Sequence, residues 1–354
     1  MSKDSLEVDP HENPAGWPAQ IIPMVARALT CNYASLTQSG RPITWPLTPF
    51  VNDDRRSIDV STGLVYPEKA ERARANPKVA LLFSDQVGLT LKAPPTVLVL
   101  GRAAVRDADL QANADRYVKR SFRKLPAAMR QIPWPVVRAQ AWYLSRIWIE
   151  VTPLRIYWWQ HHRLDEQPRS WVGADAVDQK NSDPEPPGRP PGPWQTVEGD
   201  WKERAAHAIG RIGNPVLTFV HDGWPVPVPV SELRAAPDGF SLRLPDGLPF
   251  VPDGSVCVTF QTHAEKFVGQ DNAAFVGTIE PSESKRAGAE QRGDGGGRWH
   301  VLVDRRLGDF TLPGGAVRRT RSFLSYGRAL KPRLEAECLR RNQPVPSIRH
   351  PKQL

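Results

Sequence analysis

The chain has 354 residues, of which 40% are apolar and 24% are charged, and its 47 Lys and Arg residues against 38 Asp and Glu residues give a net charge of +9. This composition is typical of a folded globular protein and excludes a disordered or fibrous one. At roughly 150 residues per domain, the length predicts two domains. The 36 prolines favour short strands and many turns over a bundle of long helices.

The N-terminal segment, residues 1–18, is polar and acidic, without the basic start and apolar centre of a secretory signal. No later stretch approaches the roughly 18 uncharged apolar residues of a membrane span. We therefore expect a cytoplasmic protein without a membrane partner. Cys31, Cys257 and Cys338 are far apart in the sequence, which predicts reduced thiols and no metal site.

Residues 19–164 alternate strand and turn signals, with helical segments between them. An amphipathic helix is predicted at Ala19–Leu29, and NYASLTQSGRPITWP predicts a hairpin that turns at Gly40. The motifs SIDVSTG, KVALLF and VLVLGRAAV predict further strands, and the basic motif YPEKAERARANP predicts a helix. A long polar segment before RIWIEV predicts two helices broken around Pro133 and Pro135. We expect five or six antiparallel strands, closed into a barrel.

Residues 165–198 are rich in Pro, Gly and charge without an apolar period, and we interpret them as a linker. Residues 199–315 then repeat the pattern of the first half. A helix is predicted at Trp201–Ile212, and NPVLTFVHDGWPVPVP predicts a hairpin whose Gly223 follows Gly40 by 183 positions. The motifs KVALLF, VLVLGRAAV and RIWIEV match SVCVTF, AAFVGTIEP and RWHVLV. Because this copy lacks the basic helix and has a Gly-rich loop for the long helical segment, we interpret it as a degenerate barrel.

The excess positive charge lies in the C-terminal tail, residues 316–354, which carries ten Lys and Arg residues against two Glu residues. We expect this tail to form a helix interrupted near Pro332. Three hypotheses follow. The tail caps a barrel with its cations in solvent, borders a binding groove and attracts an anionic cofactor or substrate, or binds nucleic acid. Since the rest of the chain is nearly neutral, we do not expect nucleic acid as a partner.

The order of these motifs resembles the flavin-binding split β-barrel family, which includes pyridoxamine 5'-phosphate oxidase and the flavin- or deazaflavin-dependent oxidoreductases. The resemblance covers residues 19–160 well and residues 199–312 more weakly. Barrels of this family form two-fold dimers with the cofactor in the groove between protomers. The resemblance therefore implies a mainly β fold with helical inserts, in which two tandem split β-barrels form an intramolecular pseudo-dimer. Fusion of the barrels would allow the chain to be a monomer and to lose one of two equivalent sites.

The resemblance also implies a site for the phosphate of the cofactor. Lys69 would bind it at the start of the basic helix, where unpaired N–H groups and the helix dipole favour an anion. Arg72, one turn further on, would share the charge, and Ser61 and Thr62 would donate hydroxyl hydrogen bonds. In the alternative interpretation, Lys69 and Arg72 are solvated side chains beside the glutamates of the same helix.

The second strand of the first hairpin would face the ring system of the cofactor. By resemblance, the backbone of Pro46, Leu47 and Thr48 runs along the isoalloxazine edge and holds its pyrimidine side. Where family members often carry an Arg for the phosphate, this chain has Trp45. We expect Trp45 either to stack on a ring or to pack at the rim of the barrel.

From the resemblance we expect an FMN-binding oxidoreductase that transfers hydride to or from a small organic substrate, with its catalytic residues unassigned. One alternative is a deazaflavin (coenzyme F-420)-dependent reductase, since a basic tail near the groove would suit an acidic coenzyme. A haem-handling barrel with His161 or His162 as a ligand, and a non-catalytic cofactor-binding or interaction protein, are the others. We interpret the nearby aromatic residues 148 and 157–159 as core.

Overall fold

The computed structural model describes residues 16–130, 133–173, 180–192, 200–267, 269–282, 297–308 and 316–354, with the backbone alone at 316–320 and 322–323. The fold is mainly β. Two antiparallel sheets follow one another along the chain, and helices are inserted between the strands of the first. Within the described residues, no helix is long and apolar enough to cross a membrane.

The first sheet has eight strands, more than the five or six that the sequence predicted. They are β1 (Cys31–Leu36), β2 (Pro42–Leu47), β3 (Phe50–Val51), β4 (Ile58–Gly63), β5 (Lys78–Phe83), β6 (Thr96–Arg106), β7 (Arg146–Trp159) and β8 (Arg169–Val172). Their order in the sheet is β2-β1-β5-β6-β7-β4-β3, and β8 pairs with β7. β8 lies inside the segment that we interpreted as a linker.

The second sheet has seven strands in the same order, β10-β9-β13-β14-β15-β12-β11. They are β9 (Val216–His221), β10 (Trp224–Pro229), β11 (Ser231–Ala236), β12 (Gly239–Leu244), β13 (Ser255–Thr262), β14 (Asp271–Pro281) and β15 (Gly297–Arg306). Each strand from β9 to β15 therefore occupies the place of its counterpart from β1 to β7. The repeat seen in the sequence is a repeat of topology.

Matching irregularities occur in the two sheets. The register between β6 and β7 shifts at Leu100/Gly101, and that between β14 and β15 shifts at Val276/Gly277. A Cβ at Gly101 would lie 2.7 Å from the carbonyl oxygen of Thr152, so the bulge needs glycine. The two hairpins turn at Gly40 and Gly223, whose φ angles are +78° and +74°, as the sequence predicted.

The helices are concentrated in the first half. They are α1 (Ile22–Arg27), α2 (Glu68–Ala75), α3 (Leu110–Lys124), α4 (Pro126–Arg130), α5 (Trp134–Arg138), α6 (Ala141–Leu144), α7 (Trp201–His207) and α8 (Ala316–Arg340). The long insert thus contains four helices where we expected two, and Pro135 lies in the first turn of α5, a position that proline tolerates. The expectation of a break at Pro332 was also wrong, because α8 continues through it.

The two halves pack face to face through their sheets. Ala80, Leu82 and Leu98 of the first sheet belong to the same buried cluster as the aromatic core of the second. Across the contact, the hydroxyls of Thr44 and Thr218 are 2.6 Å apart. β2 lies against β13, and β10 lies against β5, so the contact has approximate two-fold symmetry. The chain forms the intramolecular pseudo-dimer that the resemblance implied.

The C-terminal tail returns to the first half. Leu330, Leu334 and Cys338 of α8 are buried in the core that β4–β7 and α2 form. Arg340 and Arg341 make ion pairs with carboxylates of the first half. The hypothesis that the tail leaves its cations in solvent is therefore wrong for these arginines.

Candidate functional site

A cavity of about 850 Å³ lies between the two halves. Its walls come from the first sheet with α2, from the ends of β13 and β15 and the start of β14, and from Tyr326 of α8. This volume is within the range of pockets that hold cofactors and small substrates. The lining includes every residue that the sequence analysis assigned to a cofactor site: Trp45, Pro46, Leu47, Thr48, Ser61, Thr62, Lys69 and Arg72.

Three cationic side chains form a corner of this cavity: Lys69, Arg72 and Arg146. The first two are on α2 and the third begins β7. The Arg72 Nε donates a hydrogen bond to Ser35 Oγ at 3.1 Å, and Arg146 Nη2 donates to Tyr117 Oη at 2.9 Å. Among the described residues, none of the three cations has a carboxylate within ion-pair distance. This cation corner therefore carries positive charge that the described part of the chain does not neutralise.

The ammonium group of Lys69 lies within this cation corner. Burial lowers the pKa of its ammonium group from 10.5 to about 8, against the opposing effect of Glu68, and Arg72 and Arg146 lower it further. Its Nζ atom lies 5.1 Å from the centre of the Trp45 ring. Trp45 thus supplies a cation–π contact to Lys69, a role that neither expectation for this residue included.

Arg333 of α8 neutralises the acidic residue next to Lys69. Its Nη2 atom is 3.3 Å from Glu68 Oε1, and its Nε donates to the carbonyl oxygen of Val65. Glu68 would otherwise place a negative charge at the start of α2, where it would repel an anionic ligand. The tail therefore borders the cavity, as the second of the three hypotheses stated. It favours an anionic ligand indirectly, because Arg333 neutralises Glu68.

The carboxylates in the cavity wall have partners of their own. Asp271 pairs with Arg204 at 2.8 Å, and Asp304 pairs with Arg41 at 3.5 Å. Asp200 accepts a hydrogen bond from the backbone at the start of α7. The unneutralised charge in the described wall is therefore positive, which favours an anionic ligand.

The predicted phosphate ligands on β4 differ in what they offer. Ser61 and Thr62 are both buried at the cavity wall. The Thr62 hydroxyl already donates to the carbonyl oxygen of Tyr66 at 2.8 Å, so in this arrangement it can accept a hydrogen bond but not donate one. Ser61 remains the hydroxyl of β4 that we expect to donate.

β2 is an edge strand of its sheet, which leaves one side of its backbone without a strand partner. Pro42 and Pro46 are compatible with this position because proline lacks the N–H that an inner strand needs. The segment from Trp45 to Thr48 lies along the cavity. Backbone groups on the unpaired side of this segment are therefore candidates for hydrogen bonds with a ligand in the cavity.

Sequence analysis expected the second half to complete the groove but did not identify the residues that it contributes to the cavity wall. Gln261, Thr262 and His263, at the end of β13, line the cavity. His263 Nε2 lies 2.8 Å from Asp85 Oδ2, and its Nδ1 lies 3.0 Å from the carbonyl oxygen of Ala264. Burial opposes a charge on His263, but Asp85 and this carbonyl outweigh it and raise its pKa. The signal available was the run QTH, three polar residues after the apolar strand SVCVTF.

A second group that sequence analysis missed is the aromatic surrounding of Arg146. Its guanidinium carbon lies 4.1 Å from the ring centre of Tyr117 and 4.4 Å from that of Tyr143. The helical insert supplies both tyrosines, and Trp142 and Tyr326 pack beside them. These contacts hold the Arg146 side chain in place at the cation corner.

Solved structures that match the chain each align with less than half of it and with most of their own length. General stress protein 26 from Bacillus anthracis is 16% identical over 43% of this chain and 95% of its own, with a TM-score of 0.29. A pyridoxamine 5'-phosphate oxidase-related, FMN-binding protein from Nostoc punctiforme is 14% identical over 45% and 96%, with a TM-score of 0.30. A protein named F420 reductase is 19% identical over 38% and 92%, with a TM-score of 0.28. No family model and no curated protein matches the chain.

The repeated strand order decides the architecture of this chain. The chain is a tandem split β-barrel. By the two-fold symmetry of such a pair, a second groove would lie on the opposite side of the contact.

At the position of the second groove of the tandem split barrel, the described residues leave less space than at the first. The cavity there is about 150 Å³ and is lined by Arg155, His221 and Phe250, among others. Phe250 lies in the loop that replaces α2, and its ring packs 5.1 Å from Tyr157 and 5.3 Å from His221. An apolar ring thus stands in the segment that corresponds to the Lys69 helix. The prediction that the second barrel lacks the basic helix agrees with this arrangement.

The remaining candidates from the sequence lie away from the open cavity. Trp148, Trp158 and Trp159 are buried in the cores, as we interpreted them. His161 and His162 follow β7 in a 3₁₀ turn. They do not line the cavity. Within the described ranges, no group of three or more His, Cys, Asp or Glu residues could hold a metal ion.

Proposed function

We propose that the chain binds FMN in the cavity between its two barrels and acts as an oxidoreductase on a small organic substrate. The observation that supports this most is the cation corner, in which Lys69, Arg72 and Arg146 have no carboxylate partner in the described part of the chain. A partly buried cation without a counter-charge is costly. An anionic group such as a phosphate monoester at this corner would remove that cost.

The residues around the corner fit the rest of such a cofactor. Trp45–Thr48 offer backbone groups along an edge strand, and Ser61 offers a hydroxyl close to the cations. The second barrel supplies the opposite wall of the cavity, which includes Gln261, Thr262 and His263. When bound, FMN supplies hydride transfer at its N5 atom, so the protein needs mainly to bind, orient and enclose it.

No acid or base for the reaction is assigned. His263 lines the cavity, but both of its ring nitrogens are engaged, one with Asp85 and one with the carbonyl oxygen of Ala264. It is therefore placed to connect the two barrels and not to exchange a proton with a ligand.

The alternative of a deazaflavin coenzyme depends on free positive charge in the tail. Arg333, Arg340 and Arg341 are instead paired with Glu68, Glu71 and Asp107. These three arginines are therefore not available to the longer acidic tail of coenzyme F-420, which favours the short phosphate of FMN. A non-catalytic binding protein would keep the same cavity and bind ligand without turnover.

One experiment tests the proposal and its alternatives together. The purified protein is denatured, and the absorbance and mass of any released small molecule are measured. Released FMN supports the proposal. Protein that releases nothing is titrated with FMN and with coenzyme F-420, and a ligand in 100-fold excess over its dissociation constant should raise the free energy of unfolding by about 2.7 kcal/mol. Stabilisation by coenzyme F-420 alone supports the deazaflavin alternative, and stabilisation by neither refutes cofactor binding.

A further inference from the structure

The side chain of Gln261 is a buried polar group of the cavity wall that the proposed function does not yet use. The residue is 3% exposed, and its Oε1 atom has no hydrogen-bond partner among the described residues. A buried acceptor without a donor costs roughly 1–3 kcal/mol. Since Gln261 lines the cavity, a ligand with an N–H group there would supply the missing donor.

Contacts on either side fix the position of Gln261 relative to β2. Thr259 Oγ1 donates to the carbonyl oxygen of Thr44 at 3.3 Å, and His263 Nε2 lies 3.4 Å from Thr30 Oγ1. Because Cys31 pairs with Leu47, Thr30 lies at the level of Thr48. β13 therefore runs alongside β2, with Thr259 at the level of Thr44 and His263 at the level of Thr48.

Gln261 lies between these two contacts, and it shares a face of β13 with Thr259 because side chains alternate along a strand. This places it at the level of Pro46. Proline has no N–H, so β2 cannot donate a hydrogen bond from residue 46. A primary amide carries both a donor and an acceptor, and thus complements this part of the edge strand.

We propose that Gln261 is a specificity-determining residue that recognises the imide edge of the cofactor ring, with Oε1 accepting from the ring N–H and the amide N–H donating to a neighbouring ring carbonyl. This inference rests on the proposed function. It means that a residue of the degenerate second barrel recognises the cofactor ring that the first barrel binds.

The test compares Gln261→Leu with the wild type for two ligands, FMN and FMN methylated at the ring N3 atom, which has no imide N–H. A neutral hydrogen bond contributes about 1 kcal/mol net, and the variant loses two for FMN but one for the methylated ligand. We therefore expect it to bind FMN roughly 10- to 30-fold more weakly and the methylated ligand about fivefold more weakly. Gln86→Leu makes the same change at an exposed glutamine outside the cavity and should leave both affinities as they are.

Equal losses for the two ligands, or no loss for either, would overturn the assignment of Gln261. Failure of the wild type to bind FMN would overturn the proposed function as well, so the two failures are distinguishable. If Gln261→Leu does not fold, Gln261→Met takes its place. A second readout is the infrared carbonyl stretch of bound FMN, which should shift to higher frequency in the variant as a ring carbonyl loses its donor. An unchanged stretch would contradict the proposal.

Discussion

Replacement of Lys69 by methionine should weaken cofactor binding and stabilise the protein without cofactor. Methionine is unbranched and flexible and can fill much of the same space without a charge. The variant keeps the packing of α2 and removes one positive charge from the cation corner. Opposite effects on binding and on folding would distinguish a ligand-binding lysine from a structural one.

The expected gain in stability follows from the pKa of Lys69. Burial lowers this pKa from 10.5 to about 8, which corresponds to about 3 kcal/mol of destabilisation by the charged form. The cation–π contact with Trp45 offsets about 1 kcal/mol of this destabilisation. We therefore expect the free energy of unfolding of the apoprotein to rise by about 2 kcal/mol at pH 7.

The sign of the pH dependence is also determined. The pKa of Lys69 is lower in the folded protein than in the unfolded one. The destabilisation by charged Lys69 is therefore fully present below pH 8 and declines as the pH rises from there towards 10.5. The difference in stability between the wild type and Lys69→Met should decline over the same interval. Urea unfolding of both proteins at pH 7 and at pH 9.5 measures this change.

The expected loss of affinity follows from one charge-assisted hydrogen bond to phosphate, which contributes about 1.5–3 kcal/mol. Lys69→Met should therefore bind FMN about 10- to 100-fold more weakly, while its affinity for riboflavin, which has no phosphate, should stay the same. Lys331→Met is the matched control, because that side chain is 72% exposed. Equal affinity of wild type and Lys69→Met for FMN, or equal losses for FMN and riboflavin, would refute the role of Lys69.

Three further predictions concern the rest of the site. Because Phe250 lines the smaller cavity at the second groove, fluorescence titration should give one FMN per chain, and two would contradict it. Arg333→Gln frees the charge of Glu68 and should weaken FMN binding about two- to fivefold, which the double variant with Glu68→Gln should reverse when dissociation constants are compared. The pKa of His263 is raised above 6.5, and the pKa of Asp85 is lowered below 3.8 because its hydrogen bonds outweigh the opposing effect of burial. Stability should therefore fall as the pH rises above 6.5, and His263→Gln should abolish this fall in urea unfolding.

The controls for these predictions follow from the same contacts. Arg328→Gln changes an exposed arginine of α8 and should not alter FMN affinity, since no ion pair is described for it. For His263, a pH dependence that persists in the glutamine variant would mean that other groups titrate. Wild-type stability that does not change as the pH rises above 6.5 would contradict the raised pKa itself.

The sequence was most informative where glycine and proline restrict the backbone. Gly40 and Gly223 identified the two hairpins, and the match of Gly101 with Gly277 aligned the two bulges. These residues act through their own backbone, so their effect is visible without the fold.

Other features depend on contacts between distant segments and could not be predicted from local patterns. β3 has two residues and β8 has four, too few for a periodic signal. α8 continues through Pro332 because Leu330 and Leu334 are buried on either side of it, and this packing offsets the lost hydrogen bond. The proximity of Gln261 to the first barrel likewise follows from the packing of two sheets.

The fusion of the two barrels has a consequence for the cavity between them. In a pair of separate subunits, dilution would separate the two walls, and every substitution would alter both grooves at once. Here the chain between α6 and α7 keeps the walls at a constant effective concentration, so ligand affinity should not vary with the amount of protein. Each half can also acquire substitutions that the other does not share. This allows Phe250 in one half to stand in the segment that corresponds to the Lys69 helix of the other.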